Sequence, residues 1–189
     1  MLRIFCLTLT VLGLFGCGTS YRVVDSNTVI KDEESIFVIG VSPGNYRIAV
    51  YPGSIEGDAF IQSTWRSAAV FGAAKNGYVV GRGKEGDVLA VTNFAIVDSS
   101  DAIRGQSFGA CEGLKTMVFK MPAGKVLYLG DIKYNRLGDR IHGKFSNSFD
   151  TANKYINDLF PLLEGQLEQW EYQVLPIHTS CTTTITVSY

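Results

Sequence analysis

Histidine is scarce in this chain, and the spacings from which metal sites are usually built are missing. The 189 residues include only two histidines, His142 and His178, which stand far apart in the sequence. No Cys-x-x-Cys pair and no His-x-x-x-His pair occurs, although zinc sites typically use such spacings. The sequence therefore predicts neither a metal centre nor a cofactor.

An excess of positive charge is also missing. The chain has 17 Lys and Arg against 18 Asp and Glu, and its formal net charge is −1. Because nucleic-acid-binding domains are normally strongly basic, we expect no nucleic-acid partner. Basic side chains do concentrate in residues 115–144, which are suited to anionic groups such as lipopolysaccharide phosphates or an acidic protein. Alternatively, the alternation of side chains along strands divides these charges between two faces.

No apolar run is long enough to span a membrane as a helix. Residues 4–16 carry no charge, but a bilayer core requires about 20 apolar residues. A shorter apolar run that follows a basic residue, here Arg3, is typical of a secretory signal peptide. We therefore expect residues 1–16 to be a signal peptide.

The apolar run ends at Leu14-Phe15-Gly16-Cys17, which resembles the lipobox of bacterial lipoproteins. The resemblance implies that Cys17 carries a diacylglyceryl thioether, that the chain is cut before it, and that residues 17–20 form a lipidated tether. Several acyl chains anchor a protein stably to a membrane, whereas one does not. Gly18, in place of Asp, implies an outer-membrane location facing the periplasm. The alternative is an ordinary secreted protein, cut elsewhere, in which Cys17 has no special role.

With Cys6 in the signal peptide and Cys17 acylated, Cys111 and Cys181 remain. In an oxidising compartment two remaining cysteines most simply pair, so a disulfide between them is expected. The alternative is two separate thiols, buried as small hydrophobic side chains.

Turn signals recur every eight to twelve residues from Tyr21 to Lys144, and short runs rich in Val, Ile, Phe and Tyr lie between them. This rhythm is typical of a sandwich or barrel of strands. We expect one mainly β domain over residues 21–189, an antiparallel β-sandwich. Residues 35–41 and 87–97 are predicted to be buried strands, and residues 115–134 a hairpin that turns at Pro122 and Gly124. In the second arm of this hairpin, alternation places Val126, Tyr128, Ile132 and Tyr134 on one face.

One segment departs from the β pattern. Residues 148–160 place Phe149, Ala152 and Ile156 at helical spacing, and Pro161 should end the helix. We expect this helix, with Ser148 as its N-cap, to pack on the sheet. Residues 68–77 are compatible with a short helix or a loop.

Together with the lipobox, the stretch MPAGKVLYLGD and the helix ending in LFPLLEG resemble small uncharacterised bacterial lipoproteins. That resemblance implies a periplasmic β-sandwich carrying one helix. It transfers no catalytic residue. We expect the partners of this chain to be the membrane, through the N-terminal lipid, and an envelope protein or polymer.

Two catalytic hypotheses are alternatives to a non-enzymatic binding role. Gly105–Gly109 reads G-x-S-x-G, which suggests an envelope serine hydrolase using Ser107. The strand before it and the helix after it that such a nucleophile requires are missing from the pattern, so a glycine-rich loop is the simpler interpretation. A thiol nucleophile at Cys111 lacks a motif as well. Trp65 and Trp170 line either a ligand cleft or the core. We therefore predict a non-enzymatic, membrane-anchored envelope lipoprotein.

Overall fold

The computed structural model describes residues 24–99, 105–109, 113–137 and 140–178. Twelve strands and one α-helix are defined in these ranges. The strands are β1 (Glu34–Ser42), β2 (Tyr46–Glu56), β3 (Ala59–Gln62), β4 (Val70–Ala73), β5 (Tyr78–Lys84), β6 (Val88–Ile96), β7 (Gln106–Gly109), β8 (Lys115–Lys120), β9 (Val126–Leu137), β10 (Arg140–Ser146), β11 (Leu167–Gln169) and β12 (Gln173–His178). The helix α1 spans Phe149–Leu159, and a 3-10 turn, Pro161–Leu163, follows it.

The first sheet, called here the mixed sheet, has the order β10-β9-β1-β5, and β11 also pairs with β9. β9 runs parallel to both β1 and β11 and antiparallel to β10. All seven residues 35–41 of β1 are buried, because both faces of this strand are covered. The prediction of a buried strand at 35–41 is therefore confirmed.

The second sheet closes on itself. β2, β3, β12, β8 and β6 form a ring in which each strand pairs with the next, and the pairing of β2 with β6 completes it. Outside the ring, β4 pairs with β2 and β7 pairs with β6. Residues 68–77, expected to be a helix or a loop, thus contain β4. A strand forms because residues 70–73 pair with residues 47–50 of β2.

The largest core lies between the mixed sheet and the wall of the ring. Contacts between aromatic side chains join the two sheets. Phe37 meets Phe119 with centroids 5.3 Å apart, and Tyr46 stacks on Tyr134 with centroids 4.9 Å apart. A small cluster of Phe60, Ala90, Val118 and Ile177 fills the ring. The other face of the mixed sheet, called its outer face, packs against α1. The described part of the chain is therefore mainly β with one α-helix, as predicted.

The helix ends near the predicted proline, but the contacts that stabilise its N-terminus differ from the predicted Ser148 cap. Ser148 occupies the N-cap position, but its side chain makes no capping bond. Instead, Asn147 Oδ1 accepts a hydrogen bond from the Phe149 amide at 3.1 Å, and the Ser148 amide donates to the buried Tyr128 hydroxyl at 2.9 Å. Ala152 and Ile156 are buried as expected, and Pro161 starts the 3-10 turn that follows.

The expectation of a purely antiparallel sandwich is wrong in its strand directions, since three strand pairs are parallel. The predicted hairpin over residues 115–134 is also wrong. β8 belongs to the ring and β9 to the mixed sheet. The connection crosses between the sheets, because the Met121 amide bonds the Asp87 carbonyl while the Lys125 amide bonds Ser35 Oγ. Gly124 does adopt the predicted left-handed conformation, with φ of 64°.

A β-bulge in β9 reverses the predicted faces of its second half. The register against β1 shifts between Val38 and Gly40, and Gly130 has a φ of 102°, a conformation that glycine adopts readily. Ile132 and Tyr134 consequently join the main core. The sequence had placed them on the face of Val126 and Tyr128, which in the structure is the outer face.

Candidate functional site

A cleft of about 860 Å³ opens at one end of the ring. It lies where β6 begins at Val88, β8 ends at Lys120 and β12 begins at Gln173. Strand ends at the mouth of a barrel are a common location for binding sites, and the volume is within the usual range for ligand pockets.

The cleft combines an apolar floor with an aromatic wall and a polar rim. The floor includes the buried side chains of Val118, Phe119 and Met121. The wall and rim are contributed largely by residues 169–173, called here the crossing segment because it leaves the mixed sheet after β11 and enters the ring as β12. The rim residues are Glu85, Lys120, Gln169, Glu171 and Gln173. Such a site suits an apolar group with polar or charged ends.

The crossing segment is fixed by hydrogen bonds to both sheets. The Trp170 amide donates to the Tyr128 carbonyl at 2.9 Å, and Gln169 Nε2 donates to the same carbonyl at 3.3 Å. On the ring side, Trp170 Nε1 donates to the Lys120 carbonyl at 3.0 Å. Since both its backbone and its side chain are held, the indole is preorganised as a wall of the cleft.

A cation orients the same indole. Lys125 Nζ lies 5.4 Å from the centroid of the Trp170 ring and 2.7 Å from Glu168 Oε1. The two charged side chains are about 40% exposed, so their ion pair adds little stability in water. The cation–π contact contributes about 0.5–1 kcal/mol at such exposed sites. Lys125 therefore positions Trp170 and is removed from any larger basic surface.

Tyrosines with raised pKa values lie in the packed interior near the cleft. Burial, followed by the hydrogen bond that its hydroxyl donates to Asp131 Oδ1 at 2.7 Å, raises the pKa of Tyr128. Burial also raises the pKa of Tyr134, which stacks on Tyr46. Both hydroxyls remain protonated at neutral pH, and that of Tyr128 forms structural hydrogen bonds to Asp131 and to the Ser148 amide.

Comparison with known proteins found no matching family model, curated sequence or solved structure. Within the described ranges, no helix has the length and apolar character needed to cross a bilayer.

Ser107 lies inside strand β7, directly opposite Ala95 of β6. A hydrolase nucleophile of the G-x-S-x-G type sits instead on a sharp turn between a strand and a helix. The neighbouring Phe108 packs on the main core and stacks on Phe94 at 5.7 Å. Because side chains alternate along a strand, Ser107 is turned away from the core, and it is exposed.

The histidines are placed on different strands. His142 lies in β10 opposite Asn135, and His178 is the last residue of β12. In the part of the chain that the structure describes, neither histidine hydrogen-bonds Ser107. Asp158, an acid that follows Ser107 in the chain, accepts a hydrogen bond from Lys154 on α1 at 2.7 Å. These groups are not brought together.

The remaining predicted site residues are the cysteines. Cys17, Cys111 and Cys181 all lie outside the described residues, so the anchor and the disulfide stay predictions. Among the residues that are described, no group of three His, Cys, Asp or Glu side chains is arranged to hold a metal ion.

Of the two places expected for the tryptophans, a ligand cleft or the core, Trp170 lies in a cleft, whereas Trp65 is 96% exposed and belongs to neither. The position of the cleft in the fold was not predicted. The cations of the basic stretch 115–144 have different surroundings: Lys125 contacts Trp170, Arg136 Nη1 donates to Gln106 Oε1 at 3.0 Å, and Lys133 lies opposite Lys144. One local signal was present. Aromatic and polar residues alternate through QWEYQ, residues 169–173, a pattern typical of an extended segment with its aromatic side chains on one side.

Proposed function

We propose that this chain is a membrane-anchored bacterial envelope lipoprotein without enzymatic activity, whose β domain binds an envelope protein or polymer in the cleft. The observation that carries the binding role is the preorganised Trp170 beside an apolar floor. A rigid aromatic wall loses little conformational freedom on binding, which favours affinity.

The anchoring role rests on the sequence around Cys17. Residues 1–16 are the signal peptide, residues 17–20 the lipidated tether, and residues 21–189 a single β-sandwich-like domain. Val24 comes seven positions after Cys17, a span of at most about 25 Å when fully extended. The domain would be held close to the membrane surface, and Gly18 after the cysteine supports the periplasmic face of the outer membrane.

Anchoring is tested by substituting Cys17→Ala. The variant should fail to incorporate labelled palmitate and should appear in the soluble periplasmic fraction. Continued incorporation of palmitate would refute the lipid anchor.

The predicted disulfide joins Cys111, which follows β7, to Cys181, which follows β12. Both thiols should resist alkylation in the folded protein until a reductant is added. Labelling of either cysteine before reduction would show that the pair is not formed.

Binding in the cleft is measurable through tryptophan fluorescence, because the chain has two tryptophans. In a Trp65→Phe variant, Trp170 is the single tryptophan, and its emission under selective tryptophan excitation reports on the cleft. Titration with soluble peptidoglycan fragments, lipopolysaccharide or purified outer-membrane proteins should change its emission in a saturable way for one of them.

Two variants control this experiment. Glu171→Lys alters an exposed rim residue and should change the affinity without affecting the fold. Tyr155→Phe lies on α1, away from the cleft, and should bind as the parent does. Equal affinity of the Glu171→Lys and parent chains, or a signal from none of the three ligand classes, would count against the cleft as the binding site.

The alternative, an envelope serine hydrolase using Ser107, gains no support from the geometry described above. It predicts covalent labelling of Ser107 by a fluorophosphonate. The binding-module proposal predicts no such labelling.

A further inference from the structure

The hairpin formed by β9 and β10 is basic within a chain of slightly negative charge. Residues 132–146 contain Lys133, Arg136, Arg140 and Lys144 against one acid, Asp139, whereas the whole chain has a net charge of −1. The fold concentrates part of this charge. The bulge at Gly130 turns Lys133 onto the outer face of the mixed sheet, together with Asp131.

Lys133 and Lys144 are directly opposite each other across the two strands, and both are exposed. Neither lysine forms an ion pair with any residue in the described ranges. Like charges directly opposite on a sheet destabilise it, and an anion placed between them removes that repulsion. His142 lies two residues before Lys144 and therefore on the same face. This face is complementary to a negatively charged surface.

An apolar side chain lies at the end of the same hairpin. Leu137 pairs with Arg140, so only residues 138–139 connect the strands, and Leu137 is 67% exposed. Cationic side chains behind an exposed leucine form the arrangement that interfacial segments use, with the leucine entering the acyl region and the cations contacting headgroup phosphates. An acidic protein would use the charges but would not require the leucine at the tip.

We propose that the β9–β10 hairpin docks the domain on an anionic phospholipid surface, through Lys133 and Lys144 on the headgroup phosphates and Leu137 at the acyl boundary. The proposal rests on the envelope anchoring inferred above, because that anchor keeps the domain within reach of a membrane. Val24, the first described residue, packs against the same face of the mixed sheet as α1, which is the face that carries the two lysines. The lipid supplies attachment, and the hairpin sets the orientation.

The test uses the full chain carrying Cys17→Ala, which removes the anchor and leaves the hairpin. Binding is measured by co-sedimentation with vesicles of phosphatidylcholine alone or of phosphatidylcholine containing about one-third phosphatidylglycerol. The chain should bind the anionic vesicles and not the neutral ones, and high salt should release it, because salt screens exposed charges.

Substitutions separate the parts of the hairpin. Each lysine that is neutralised should lower the partition coefficient about fivefold, so Lys133→Gln with Lys144→Gln should lower it about 25-fold. The matched control, Lys31→Gln with Lys75→Gln, has the same net charge and should bind as the parent does. Leu137→Ser should lower binding roughly tenfold, through lost apolar burial.

Three results would overturn the proposal: no preference for anionic vesicles, equal losses in the two lysine double variants, or no effect of Leu137→Ser. Binding to soluble polyglutamate as tight as that to anionic vesicles would assign the hairpin to an acidic protein instead. The wild-type chain, bound to neutral vesicles by its lipid, reports on the anchor separately. Loss of that binding would refute the anchor, and its persistence without an anionic preference would refute only the docking hairpin.

Discussion

The Tyr128 hydroxyl links the bulged strand β9 to the start of α1, and its removal provides a sharp test of how the outer face is built. The hydroxyl donates to Asp131 Oδ1 at 2.7 Å and accepts from the Ser148 amide at 2.9 Å. Tyr128→Phe keeps the buried ring and deletes only the oxygen. It leaves a carboxylate and a helix-terminal amide without their partner.

The cost follows from the groups left unpaired. Each buried or partly buried polar group that loses its hydrogen bond costs about 1–3 kcal/mol. Both bonds of Tyr128 are partly buried, so water compensates in part and we expect a total loss of about 2 kcal/mol. For a chain of this length, that loss lowers the melting temperature by about 4–8 °C.

The measurement is urea unfolding followed by circular dichroism, with thermal unfolding as a second readout. The matched control is Tyr155→Phe, since the Tyr155 hydroxyl makes no hydrogen bond in the described part of the chain, and its removal should change the free energy of unfolding by less than about 0.5 kcal/mol. If Tyr128→Phe costs no more than Tyr155→Phe, the network does not hold the helix to the sheet.

Three further predictions concern the same face. Gly40→Ala should lower the free energy of unfolding in urea by about 1–3 kcal/mol, because the new methyl group would collide with the Asp131 carboxylate. If the losses from Gly40→Ala and Tyr128→Phe simply add in the double variant, the two residues do not share a network through Asp131. Lys144→Glu should raise the free energy of unfolding by about 0.2–1 kcal/mol, because it replaces a like-charge pair with Lys133 by an opposite one, and the gain should shrink in high salt. Burial, followed by the hydrogen bond to Asp131, raises the pKa of Tyr128 above the ordinary tyrosine value of about 10. The stability that its hydroxyl contributes is therefore complete below about pH 10 and decreases as the pH rises further, so a pH titration of stability should show a smaller alkaline loss in Tyr128→Phe than in the parent.

The parts of the fold that the sequence predicts are those determined by local pattern. The helix has its apolar residues at helical spacing and a proline just beyond its end, so local information suffices. The strand over residues 35–41 is apolar on both faces, and burial on both sides follows. Neither prediction required knowledge of a distant partner.

The failures concern the choice between partners. Residues 115–134 have the turn chemistry of a hairpin, but Lys125 meets Ser35, 90 residues away, while Met121 meets Asp87. Nothing local distinguishes a turn within one sheet from a crossing between two. The bulge in β9 also depends on a distant partner. Gly130 is a local sign of a bulge, but the exchange of faces that follows it is determined by the register against β1.

The cleft could not be predicted for the same reason. Trp170 stood out as a residue, yet its role depends on the Lys120 carbonyl, which accepts its indole N–H. The floor belongs to β8 and the wall to the crossing segment, which are separated by some fifty residues in the chain. Only the passage of that segment between the sheets brings them together.

The closed ring has a consequence for the order of folding. β12 enters between β3 and β8 and is the last described strand in the chain, so the ring cannot close until residues 173–178 are available. Before that, β3 and β8 have open edges, which invite pairing with other chains. A nascent chain is thus most vulnerable to aggregation before β12 arrives, and the insertion of β12 completes the ring and the cleft in the same step.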